Sequence, residues 1–66
     1  MDETVGDRLK RAHDKHPDAV FTVFTLSGHA ISGRIVQCGR IIRLEAGKET
    51  AEVSDDRVEA FSFREP

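Results

Sequence analysis

Sixty-six residues leave room for one small domain. A chain of this size hides only about 60% of the surface its unfolded form exposes, so its own core leaves it marginal and self-association is expected. Disulfide stapling is excluded within the chain, because Cys38 is the single cysteine, and a lone thiol fits a reducing compartment. The longest uncharged run, from Ala19 up to Arg34, is broken by Thr, Ser, Gly and His and falls short of the roughly 18 apolar residues of a spanning helix. With Met1-Asp2-Glu3 leading into no basic and apolar tract, a secretory signal is not expected either, and a cytoplasmic location is the default expectation. The formal charge is −2, from 10 basic and 12 acidic residues, but it is unevenly spread. Residues 19–44 contain no acid, three arginines (Arg34, Arg40, Arg43) and His29, whereas residues 45–66 hold seven acids against three bases. That middle third offers the local positive surface an anionic partner requires; a half-buried sheet with few charges is the alternative explanation.

Val5, Leu9 and Ala12 recur at helical spacing among Asp7, Arg8, Lys10, Arg11 and Asp14, which predicts an amphipathic helix over about residues 4–14. Thr4 followed by Asp7 resembles a capping box. Asp2, Glu3 and Asp7 at the start and Arg8 through Lys15 toward the end complement the helix dipole. Gly6 weakens the helix, and Pro17 ends it by forcing His16 out of helical dihedrals. So thin an apolar stripe needs a sheet to lie on.

β-Branched and aromatic residues dominate from Ala19 onward. Five strands are predicted, at about residues 20–26, 30–38, 40–44, 50–53 and 58–63. Turns are expected at Ser27-Gly28, Gly39, Ala46-Gly47-Lys48-Glu49 and Ser54-Asp55-Asp56-Arg57, and the Arg64-Glu65-Pro66 tail is expected to be loose. Gly33, inside the second strand, signals a bulge or sharp bend. A helix followed by five short antiparallel strands fits a small, strongly bent barrel over about residues 19–63, with an open five-stranded sheet as the competitor.

The segment Phe21-x-Val23-x-Thr25-x-x-Gly28-x-x-x-x-Gly33-x-Ile35 resembles the first signature of the Sm-like family, which includes the Lsm proteins and the bacterial RNA chaperone Hfq. Val53-Ser54-Asp55-Asp56-Arg57-Val58-Glu59-Ala60-Phe61 resembles the second signature in layout, and the N-terminal helix also suits the family. The resemblance implies one Sm-like domain over residues 1–66, a mainly β fold in which an N-terminal helix precedes a five-stranded, bent antiparallel (SH3-like) barrel. It implies that the fourth and fifth strands pair with neighbouring subunits in a homo-oligomeric ring of five to eight copies, six being the Hfq number. Free strand edges and a meagre core agree with that need.

The resemblance also implies RNA-binding positions. Phe24, Gly28, His29 and Ile31 occupy the places of the aromatic and turn-glycine set on one ring face, where Phe24 and His29 would stack bases at about 1–3 kcal/mol each. Packing of Phe24 against the helix or a neighbouring subunit is the favoured alternative. On the pore side, Gly39-Arg40-Ile41-Ile42-Arg43 departs from the family pattern: the turn acid is absent and Ile41 stands where an aromatic stacks. Arg40 and Arg43 are candidate phosphate contacts, with cross-strand pairing to Glu45 or Glu52 as the alternative. The turn that is basic or histidine-bearing in Hfq is Ser54-Asp55-Asp56 here, and two carboxylates per subunit would repel phosphate.

Two functions follow: an Sm/Hfq-like ring-forming RNA-binding protein, or a ring that has lost RNA binding and serves as a protein-interaction scaffold. Enzymatic activity is not expected, because Asp55-Asp56 reads as a turn and no phosphate loop or nucleophile elbow is present. His13 and His16, with Cys38 as a possible third ligand, fit solvated histidines at a helix C-terminus better than a metal site. No cofactor is expected.

Overall fold

A computed structural model describes residues 3–65; Asp2 of the helix-start charges and Pro66 of the tail lie outside the described residues. Helix α1 spans Val5–Lys15, followed by strands β1 (Val20–Thr25), β2 (Ala30–Cys38), β3 (Ile41–Ala46) and β4 (Glu49–Ser54), a short 3₁₀ turn (Asp55–Arg57), and β5 (Val58–Arg64). No helix among the described residues is long and apolar enough to cross a membrane.

The capping box forms as the sequence anticipates. The Asp7 amide donates to Thr4 Oγ1 at 3.1 Å and the Thr4 amide donates to Asp7 Oδ2 at 3.3 Å, which satisfies two of the donors a helix start leaves without partners. His16, before Pro17, caps the other end at φ −132° and ψ 67°, outside the helical region.

All five strands are antiparallel, in the spatial order β4-β3-β2-β1-β5. Side chains alternate between an inner face, carrying the buried Phe21, Val23, Ile35, Ile42, Leu44, Val53 and Val58, and an outer face open to solvent. Helix α1 packs against β5, β2 and the 3₁₀ turn. Its Leu9 is fully buried in this core, with Val5 and Ala12 packed partly against it.

The expected barrel does not close within one chain. β4 and β5 stand at opposite ends of the sheet with no ladder between them. The helix covers the core where closure would otherwise be needed, so the apolar face is buried while both edge ladders stay open.

Gly33 marks a close backbone approach rather than a bulge. It pairs regularly with Phe21, and a Cβ placed on it would lie 2.6 Å from the Glu45 carbonyl oxygen. The bulge in β2 falls at Val36, between the Ile35 and Gln37 pairings, and a second register shift sets Glu59 aside in β5. Gly6, costly within a helix, has a similar use. A Cβ there would lie 2.9 Å from the Asp55 carbonyl oxygen, so glycine lets the helix seat directly on the 3₁₀ turn. Two residues of the tail depart from the expectation: Arg64 completes β5 opposite Val20, and Glu65 Oε1 meets His16 Nδ1.

Candidate nucleic-acid interface

The six sequence-derived site residues fall in four places, Arg43 standing apart on the β3–β4 ladder. The first is the β1–β2 turn. Thr25 is the one buried polar residue among those described, at 7% exposure. Its hydroxyl accepts from the His29 amide at 3.1 Å and bonds the Ser27 hydroxyl at 2.9 Å. Ser27 Oγ in turn lies 3.0 Å from His29 Nδ1. The Thr25 amide donates to the His29 carbonyl at 2.9 Å, and Gly28 completes the turn at φ +89°, a conformation side chains disfavour. A hydroxyl at residue 25 therefore fixes both the turn and the imidazole, and the Nε2 edge of His29 has no hydrogen-bond partner among the described residues.

His29 and Ile31 share an open cleft of about 360 Å³ with Leu26, Val53, Ser54 and Arg57. The Leu26 amide donates to the Arg57 carbonyl at 2.9 Å, which ties this turn to the one between β4 and β5. The cleft combines the apolar side chains of Leu26, Ile31 and Val53 with hydroxyl, imidazole and guanidinium groups, and the Glu52 carboxylate also lines it, so an anion held there would lie beside Arg57 and against Glu52.

Phe24 is in a second place. It pairs with Ala30 and Ala60 on the outer face, whereas Ile31 pairs with Val23 on the inner one. Phe24 and Ile31 are therefore on opposite faces of the sheet. Helix α1 packs on the inner face, so Phe24 does not pack against it; its ring is 40% exposed between two alanines.

Arg40 defines the third place, the meeting of the β2–β3 turn with the 3₁₀ turn. The Asp55 amide donates to the Arg40 carbonyl at 2.9 Å. Arg40, Ile41, Ser54, Asp55 and Asp56 line a shallow groove of about 380 Å³. The carboxylates here are not left uncompensated: Lys10 reaches from the helix to place Nζ 2.8 Å from Asp55 Oδ2. The hydrogen bond from Lys10 holds the Asp55 carboxyl below its ordinary range, and the same bond raises the Lys10 ammonium above its own. Arg40 makes no ion pair among the described residues. Arg43 does: its Nη2 and Nε donate to Glu52 Oε2 at 2.8 and 3.2 Å across the β3–β4 ladder. Arg43 thus takes the cross-strand alternative, while Arg40 keeps its guanidinium available.

The two helix histidines sit against aromatic rings. His16 stacks on Phe63 at 5.0 Å between centroids, and His13 meets Phe21 edge-on at 6.1 Å. Cys38 is half-buried against the core, and burial pushes its thiol up, which leaves it a weak nucleophile at neutral pH. Lys10, Ser27 and Arg57 were not singled out in the sequence, because their contacts join segments up to 45 residues apart. Only the Ser27 contact is local enough to have been foreseen, as a hydroxyl beside a turn glycine.

Comparison with protein-family models, with curated proteins and with solved structures returned no match.

Proposed function

We propose that the chain is a subunit of an Sm-like, homo-oligomeric ring that binds single-stranded RNA. The observation that carries this reading is the open sheet itself. Five strands in the order β4-β3-β2-β1-β5 leave the outward ladders of β4 and β5 unpaired, and the inner-face rings of Phe61 and Phe63 lie on one of these edge strands, Phe63 at 40% exposure. Unpaired edges carrying apolar residues favour strand addition. Because the two edges belong to different strands, their pairing is head-to-tail, the arrangement that builds rings when the rotation closes, and the resemblance to the Sm-like pattern implies five to eight copies, with six favoured.

RNA binding draws support from separate features. The His29–Ile31–Arg57 cleft offers an apolar recess bordered by hydroxyls, an imidazole and one guanidinium, with the Glu52 carboxylate beside them. Phe24 supplies a free aromatic face, and Arg40 supplies an unpaired guanidinium. Arg43 contributes a phosphate contact only by giving up Glu52. Fluorescence anisotropy with labelled oligo(A) and oligo(U) at low and moderate salt tests this reading. Salt-sensitive binding that falls on His29→Ala, Phe24→Ala or Arg40→Gln, with the assembly intact by sedimentation, is the expected result. Absence of any salt-sensitive binding refutes it.

Asp56 favours the second reading, a scaffold ring that binds protein. It stands in the turn between β4 and β5 without an ion-pair partner among the described residues, and repetition around a ring would oppose phosphate there. Assembly without oligonucleotide binding is the outcome that selects it.

A further inference from the structure

We infer that Lys10 is the charge counterweight that makes the Arg40 groove compatible with phosphate. The inference rests on the RNA-binding reading and names what tunes that site. Taken alone, the groove carries one guanidinium, Arg40, against two carboxylates, Asp55 and Asp56. Lys10 comes from the helix, outside the groove's lining, and places its ammonium 2.8 Å from Asp55 Oδ2. With it, the four formal charges cancel; without it, the groove of each subunit is left net negative, repeated around the ring.

The placement is fixed at several points. Gly6 lets the helix backbone approach the Asp55 carbonyl, and the Asp55 amide is held by the Arg40 carbonyl at 2.9 Å. The carboxylate that Lys10 neutralises is thus on the residue whose backbone is bonded to Arg40. The helix, which does not line the groove, thereby sets its potential.

Charge and structure make opposite demands, which allows a decisive test. Lys10→Met and Asp55→Asn break the same ion pair, so a purely structural bridge gives both variants a change of the same sign. A counterweight gives opposite signs, because one variant adds net negative charge at the groove and the other removes it. Affinity for labelled oligo(A) and oligo(U) is measured by anisotropy for the parent, each single variant and the double variant, at low and moderate salt, with sedimentation and thermal melting as controls. The expected result is a loss of about two- to fivefold for Lys10→Met, a gain of similar size for Asp55→Asn, and a double variant within about twofold of the parent. These differences should shrink as salt rises. If both single variants weaken binding, or neither changes it while the parent binds, Lys10 is not a counterweight and the RNA reading survives. If the parent binds neither oligonucleotide, the RNA reading itself fails and the counterweight goes with it.

Discussion

Replacing Gly33 with alanine tests whether the close approach of β2 to the Glu45 backbone requires a glycine. The new Cβ would lie 2.6 Å from the Glu45 carbonyl oxygen and 2.9 Å from its carbonyl carbon, where even a tight contact is 3.0 Å. The β2–β3 ladder must therefore open by at least 0.4 Å at that point, and the atoms in the way are backbone with no rotamer to yield. The neighbouring pairs Arg34 with Glu45 and Ile35 with Leu44 sit in the same ladder, and Ile35 and Leu44 belong to the core. Overpacking of this kind costs about 1–3 kcal/mol. In a domain of this size that is a fall of roughly 10 °C in melting temperature at the middle of the range. Gly39→Ala is the matched control. Its Cβ would meet nothing within 4 Å and its φ is not positive, so it should melt at or slightly above the parent temperature. Melting is followed by circular dichroism at one fixed protein concentration, since assembly makes it concentration-dependent. Gly33→Ala melting within about 2 °C of the Gly39→Ala control would refute the close-approach account.

Leu9→Ala removes the helix's one fully buried large side chain and should cost about 2–5 kcal/mol, enough to unseat the helix and lower the far-ultraviolet helical signal. Thr4→Ala removes half of the capping box and should cost about 1 kcal/mol in urea unfolding. The Lys10–Asp55 pair has a defined pH window. The Asp55 carboxyl is held below its ordinary 3.8, so its contribution is complete above that value and is lost as pH falls through the lower folded value. Lys10, raised above its ordinary 10.5, contributes below that pH and loses its part as pH climbs through the higher folded value. Asp55→Asn should therefore flatten the acid limb of the stability profile below the ordinary carboxyl value of 3.8, and an unchanged limb would count against the bridge. Burial holds the Cys38 thiol up, so it should react with iodoacetamide at neutral pH more slowly in the folded protein than in urea.

Much of the fold was legible because local chemistry and tertiary structure agree. Thr4 and Asp7 announce the helix start, and His16-Pro17 its end. The β-branched runs place all five strands within a few residues of their observed bounds. Closure was not legible, since it depends on where the helix lies over the sheet. The close approaches of Gly6 and Gly33 were equally hidden, because a glycine in a pattern does not say which distant backbone it admits. The candidate site divides along the same line. The geometry around Gly28 and His29 is local and visible in the residues, whereas the grouping of Phe24 with Ile31 overlooked the period of two that places them on opposite faces once Phe24 pairs with Ala30. The pairing of Lys10 with Asp55 is invisible without the fold, and it changes how the acidic turn must be read.

The central claim is that this small chain finishes its sheet by pairing β4 of one copy with β5 of the next. Analytical ultracentrifugation across nanomolar to micromolar concentration tests it most directly. A closed species of five to eight copies, which dissociates with loss of secondary structure on dilution, is the expected result. A folded particle of 7.4 kDa, stable at every concentration, would contradict it.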